Sequence, residues 1–329
     1  MNRLRNNSLI KKLGVQRLVI FGVLVILFVF FYAMSPSFRK YSTIVTMASY
    51  MYYIMLMAIG VTFPLITGGV DLSIGTGLVC YSIVGSFLMR QMGLPIWFAM
   101  VVTVGMGVFF GFVNGIVVAK LNIPPFITTL CTMMIVRGLG SILTGGMTGV
   151  WPMAGQEGSW FRDLLKYKIG DTIYPVGLLI IAVLVICMSI VLNHSRTGRY
   201  IIAIGSNKEA LKLSGVNVVR WHVMAYVFSG FFAGLAAIAY AGTFSSITPG
   251  TGAGLELDAI GGAIIGGTAM TGGSGSIVGT FLGVCLISLL KTGLPNVGLQ
   301  ANWQQIITGV ILIVAVTIDM IRRHKQTAI

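Results

Sequence analysis

The chain has 329 residues, 56% of them hydrophobic and only 9% charged, with a formal net charge of +14. Soluble domains carry about 25% charged residues, so this composition, with a mean hydropathy of +0.93, excludes a soluble enzyme, a disordered chain and a disulfide scaffold. The basic excess is assigned to the cytoplasmic flanks of membrane spans rather than to nucleic acid.

With 22 basic and 8 acidic residues, the gaps between charges delimit spans, each needing about 20 apolar residues. Charge-free runs cover 18–34, 41–70, 72–89, 91–119, 121–136 (continuing past Arg137 to about 143), 172–195, 221–255, 259–290 and 292–318. The first run has a basic flank, and Ala33-Met34-Ser35 is a feeble cleavage match, so it is expected to be an uncleaved anchor. The run 259–290 is long for one crossing, and its centre, Gly266 to Gly275, breaks a helix. Counting it as two crossings puts both basic ends, Arg3, Arg5, Lys11, Lys12 and Arg17 at the start and Arg322, Arg323 and Lys325 at the finish, on the cytoplasmic side. The expectation is therefore an all-α integral membrane protein with about ten transmembrane helices in one domain spanning residues 1–329. It has a cytoplasmic loop at about 194–220 and an outer loop at about 144–173. Trp97, Trp151, Trp160 and Trp303 are expected at the outer headgroups.

Along the chain, Gly68-Gly69-Val70-Asp71 interrupts two apolar runs. An intramembrane carboxylate is a functional hypothesis by default. Asp71 either bonds freed backbone N–H groups at the start of span three or touches the transported solute. Ser73, Asn114, Thr128 and Thr129 lie near the same helix ends, where they either line a pathway or join helices. Gly107, Gly111 and Gly115, and later Gly275, Gly279 and Gly283, form small-x-x-x-small faces for close crossing. Arg137, inside span five, snorkels, faces water or pairs with a carboxylate. In the cytoplasmic loop, Ser206 with Glu209 makes a capping box and Gly215 a helix stop, defining a helix of about two turns. A helix so short needs a partner surface, and Ala210, Leu211 and Leu213 offer one, either to the chain's own bundle or to another subunit.

No phosphate-binding G-x-x-x-x-G-K-[ST] occurs, and no metal spacing or catalytic constellation is seen. His194, His222 and His324 are expected as interfacial residues, and Cys80, Cys131, Cys187 and Cys285 as small buried hydrophobes.

Glu209-Ala210-Leu211 followed by Gly215 has the E-A-A-x-x-x-G spacing of ABC importer permeases, with Leu211 where alanine is usual. Gly68-Gly69-Val70-Asp71-Leu72-Ser73-Ile74-Gly75 resembles the S-G-G-I-D-L-S-V-G segment of ribose and galactose permeases. Ile123 to Leu130 is similar to their P-F-I-x-T-L segment, and Thr197 to Asn207 to T-x-G-R-x-x-x-A-x-G-x-N. Glu256-Leu257-Asp258-Ala259-Ile260 with Gly266-Gly267-Thr268 and Gly272-Gly273 resembles E-L-D-A-I-A…G-G-T…G-G.

The resemblance implies a type II ABC importer permease of two inverted five-helix halves, working as a permease pair in the bacterial cytoplasmic (inner) membrane. Ser206, Glu209, Ala210, Leu211 and Gly215 would then couple to an ATP-binding cassette subunit, which holds ATP and Mg, and an extracytoplasmic binding protein would deliver a monosaccharide. No cofactor is implied in this chain. A nucleoside, a branched-chain amino acid or a sugar-derived autoinducer as cargo, and a stand-alone secondary transporter or channel, are the alternatives.

Overall fold

The computed structural model describes residues 2–300, 302–310, 313, 314 and 317. Eleven helices follow one another: α1 (Asn2–Met34), α2 (Tyr41–Ile66), α3 (Ser73–Arg90), α4 (Ile96–Ala119), α5 (Pro125–Thr144), α6 (Trp160–Asp163), α7 (Gly177–His194), α8 (Arg196–Leu213), α9 (Val218–Thr243), α10 (Leu255–Ile265) and α11 (Ile277–Asn296). Residues 302–310 are helical as well. Among the described residues, α1 to α5, α7, α9 and α11 are long and apolar enough to cross a membrane. The run counted as two crossings does break between α10 and α11, but α10 has only 11 residues, too few to span alone. Non-helical backbone at 244–254 precedes it. The end of the last charge-free run, the C-terminal basic cluster and His324 lie outside the described residues, as do the side chains of Arg3, Arg5, Lys11 and Lys12.

The centre is an antiparallel pair, α2 against α9. Phe63 meets Phe228 at 4.8 Å and Tyr53 meets Tyr240 at 5.0 Å between ring centroids, so one helix descends as the other rises. The helices that follow them exchange partners: α3 packs on α9, α5 and α4, while α10 packs on α11 and α2. Such an exchange is what two inverted halves sharing one core produce. α1 leans on α11 through Phe31, Phe38, Leu286, Leu290 and Leu294.

Two ends can be distinguished. At one, β1 (Gly149–Val150) pairs antiparallel with β4 (Ser246–Ile247), and β2 (Tyr167–Ile169) pairs with β3 (Thr172–Tyr174), within and beside the expected outer loop. Arg162 ties that loop to the end of α9 by donating to the carbonyls of Pro152 (2.6 Å) and Gly242 (3.0 Å). Burial of these loop cations lowers the basicity of Arg162 and Lys166. At the other end lie α8, the end of α2 and the 266–276 link, where Gly273 N–H donates to Ile66 O at 2.8 Å. Arg17 donates to Ser276 there (2.9 Å).

Several expectations are corrected. Trp151 is fully buried, its Nε1 donating to Ser82 O at 2.9 Å, because β1 tucks it under the outer loop against Phe161. Trp97, Trp160 and Trp303 are about half exposed or more, as headgroup residues would be. His222 is buried beside Tyr226 rather than interfacial. Cys131 and Cys187 lie on exposed helix faces and only Cys80 is fully buried.

The first glycine ridge closes α4 on α9. A Cβ on Gly230 would collide with the Gly107 carbonyl and approach Gly111 Cα to 2.9 Å, whereas one on Gly105 meets nothing within 4 Å. Gly230→Ala is expected to lower stability by about 1–3 kcal/mol through overpacking and Gly105→Ala to leave it unchanged. Melting of the two purified variants in detergent checks this, and equal melting temperatures would contradict the packing.

Candidate functional site

The site grows from two interruptions in the apolar bundle. α2 ends in a left-handed turn: Gly68 has φ +84°, its N–H donates to Leu65 O (2.9 Å), and Gly69 N–H reaches Pro64 O (3.0 Å). This pattern of paired backbone bonds satisfies the last carbonyls of a helix and requires the conformation glycine adopts freely. The chain then runs through Val70, Asp71 and Leu72 into α3.

Asp71 is 1% exposed. Its Oδ1 accepts from the Ser73 N–H (3.0 Å) and the Ser73 hydroxyl (2.6 Å). Ser73 Oγ in turn accepts from Asn114 Nδ2 (3.0 Å), and Asn114 Oδ1 accepts from the Thr132 hydroxyl (2.6 Å). Thr129 donates to the free carbonyl of Val70 at 3.1 Å. A single polar rail thus joins the break to α3, α4 and α5. Gly68, Gly69, Asp71, Ser73, Asn114 and Thr129 come together as expected. Thr128 is buried next to them, but its hydroxyl has no partner among the described residues. Asp71 Oδ1 is taken up by the rail, while Oδ2 is buried with no hydrogen-bond partner among the described residues. Thr132, Tyr226 and Ser229 complete its surroundings and were not anticipated. The α9 pair recurs at near-helical spacing, but one sequence does not show which element α9 faces.

The second interruption repeats the first. α10 ends with Gly267 (φ +94°) donating to Ile264 O (2.9 Å) and Thr268 N–H donating to Ala263 O (2.9 Å). At its start the Glu256 carboxylate, inside α10, reaches back to accept from Gly254 N–H (3.1 Å), whereas Asp71 precedes α3 and accepts from Ser73 within it. A Cβ on Gly75 would collide with Glu256, so the two half-helices touch where glycine leaves room.

Two charges used as span markers prove to be partners. Lys291 lies inside α11 rather than at a boundary and forms a buried ion pair with Asp258 of α10, with its ammonium 6.0 Å from the Tyr50 ring centroid. Arg137 sits on the exposed face of α5 with no ion-pair partner among the described residues.

In α8, Ser195 caps the start, accepting from Gly198 N–H at 3.1 Å. The helix kinks at Asn207 (φ −161°, ψ 94°). The cap of the second, short helix is Asn207, whose Oδ1 accepts from Ala210 N–H at 2.9 Å, and not Ser206, whose hydroxyl turns back to Ile202 O at 3.0 Å. Two capping residues adjoin here, and the backbone becomes extended only at the second. Gly215 does take the left-handed turn, with φ +78°. Glu209 and Ala210 are exposed, Leu211 half-buried, and Leu213 89% exposed.

Residues 43–316 match the family described as branched-chain amino acid transport system / permease component. The chain is 35% identical to the fructose import permease protein FruG of Bifidobacterium longum, over 81% of this chain and 79% of that protein. It is 33% identical to the ribose import permease protein RbsC of Escherichia coli, over 87% and 88%, respectively. It is also 33% identical to the galactose/methyl galactoside import permease protein MglC of Haemophilus influenzae, over 93% and 95%. No solved structure matches.

The rail makes a prediction about Asp71. Asn keeps an acceptor for the Ser73 N–H, whereas Ala leaves buried donors unmet at a cost of roughly 1–3 kcal/mol for each such group. Asp71→Asn is expected to keep near-normal yield and melting temperature, and Asp71→Ala to lose both. Two equally stable variants would remove the architectural role.

Proposed function

The chain belongs to the branched-chain amino acid transport system / permease component family, and on that premise we propose that it is the membrane-spanning subunit of an ATP-driven importer of a monosaccharide. The sugar-permease relatives, aligned over nearly the whole chain, carry this reading. The protein is multi-pass, with eight span-sized apolar helices among the described residues. It sits in the bacterial cytoplasmic membrane, with ten crossings and the α8 end inside. Arg17, Arg196, Arg199, Lys208, Lys212 and Arg220 at that end favour this orientation.

The chain performs no covalent step. A partner ATP-binding cassette subunit holds ATP and Mg and supplies the energy, a second permease chain completes the pathway, and an extracytoplasmic binding protein hands over the sugar. The short helix after Asn207 is the docking element for the ATPase. Ser206, Glu209, Ala210, Leu211 and Gly215 lie in or beside it, and Leu213 leaves an apolar side chain uncovered, as a two-turn helix seeking a partner would. A branched-chain amino acid as cargo is the second reading, favoured by the description of the family. Uptake of ribose, galactose, fructose and leucine by cells carrying the importer separates the two.

Two experiments test the coupling and the orientation. Asn207→Ala removes a cap worth about 1 kcal/mol, and Gly215→Asp burdens the left-handed stop. Both variants are expected to reach the membrane in normal amounts yet to lose substrate-stimulated ATP turnover. Unchanged turnover would refute docking here. In a variant without native cysteines, a cysteine replacing Gln156 is expected to react with a membrane-impermeant thiol reagent from outside, and cysteines replacing Thr271 or Gln326 are not. Outside labelling at Gln326 would sink the ten-crossing arrangement.

A further inference from the structure

A second polar site lies apart from the break, where the first turns of α2 face the last turns of α11 at the end away from α8. Ser42, Thr46, Tyr50, Lys291, Thr292 and Asn296 line a cleft of about 250 Å³ there. Ser42 and Thr46 on its rim are exposed and follow closely after Lys40, so the cleft opens near a membrane surface, where water is at hand.

The chemistry of its walls is selective. The hydroxyls of Thr46 and Thr292 donate to the carbonyls of Ser42 (2.9 Å) and Ser288 (2.9 Å), and Asn296 Nδ2 donates to Thr292 O (2.7 Å). With their protons so used, the oxygens of these lining residues remain able to accept. Lys291 is neutralised by Asp258, so the floor brings no net charge. Tyr50 adds an aromatic plate, close enough to hold the ammonium at 6.0 Å from its centroid. Walls that set such acceptors beside the donors of Tyr50 and Lys291 suit a solute rich in hydroxyl groups, which both donate and accept. The volume falls just below the usual range for ligand pockets, roughly 300–1,000 Å³, which fits a single sugar ring and not a disaccharide.

We propose that this cleft is a monosaccharide subsite at the entrance to the pathway, its floor the Lys291–Asp258 pair. The assignment rests on the sugar-permease reading above. A sugar hydroxyl arriving there competes for Lys291, and so reaches α10, on which Asp258 sits, before it reaches anything else in the bundle.

The test uses the assembled importer in cells, with Cys80, Cys131, Cys187 and Cys285 replaced. Single cysteines at Thr46, Asn296 and, as a lipid-facing control, Leu179 are exposed to a membrane-impermeant thiol reagent with and without ribose, galactose or fructose. Uptake of each sugar is measured in the parent cells. The expected result is reaction at Thr46 and Asn296, slowed severalfold by the sugar that is taken up, and no reaction at Leu179. Asn296→Ala, which leaves the ion pair intact, is expected to raise the KM for that sugar severalfold without lowering maximal uptake. Uptake together with unreactive Thr46 and Asn296 positions, with reaction the sugar does not slow, or with an Asn296→Ala variant of unchanged KM overturns the subsite and leaves the permease reading standing. Absence of uptake for all three sugars overturns the sugar reading and the subsite with it.

Discussion

Backbone that leaves a helix inside an apolar bundle must find partners for its N–H and C=O groups without water, and this protein does so twice. α2 and α10 both stop on a left-handed glycine, Gly68 and Gly267, whose turn returns two N–H groups to the helix. The links that remain, 67–72 and 266–276, are tied down by neighbouring helices: Gly273 N–H donates to Ile66 O at the end of α2, and the Thr129 hydroxyl of α5 donates to Val70 O. At the restarts, the Asp71 carboxylate accepts from Ser73 N–H at α3, and the Ser276 hydroxyl accepts from Gly279 N–H at α11. The helix N-terminus also favours the negative charge of Asp71. Everything polar in the rail follows from the need to hold a break.

Close approach is the second half of the same solution. Collision at a single methyl group separates α4 from α9 at Gly107 and Gly230, and α10 from α11 at Gly262, Gly266, Gly279 and Gly283. Packing without a hydrophobic driving force between helices depends on such contact. The broken helices, held this closely, can be shorter than the bilayer is thick. This explains how an 11-residue α10 occupies the place of a full span: the descending strand of backbone at 244–254 completes its path, with Glu256 and Gly75 in contact where it meets α3.

The spans were legible because charge is so sparse: α2 to α5, α7 and α9 fall inside the charge-free runs or within a few residues of them, while α1 (Asn2–Met34) reaches back through the basic start of the chain well before the run at 18–34. The break residues were legible too, since glycine pairs beside a carboxylate have few uses inside a membrane. The failures have one cause, which is that a sequence gives the order of elements and not their neighbours. Trp151 looked like a headgroup anchor until β1 folded it under the outer loop. Lys291 looked like a boundary because the partner that permits its burial, Asp258, is 33 residues away. His222 lies one turn into a helix whose covering surface comes from elsewhere in the chain. Ser206 lost the cap to Asn207 because the kink falls one residue later than spacing alone suggests.

The position of α8 brings these features together. Gly205, two residues before its kink, lies so close to Ile66 O and Gly273 N–H that a Cβ there would collide with both. Gly273 would meet Ser206 in the same way, at 2.9 Å. The short helix after Asn207 is therefore continuous with the segment that touches both breaks at once. A force on residues 208–213 reaches the end of α2 and the α10–α11 link through backbone contacts, with no long side chain to absorb it. On the far side of the first link stands Asp71, on the rail to α4 and α5, and on the far side of the second stands the Ser276 cap of α11, while Glu256 and Asp258 lie at the other end of α10. Both breaks are thus held by backbone contact at one end of the bundle, and α8 is the element that touches each of them.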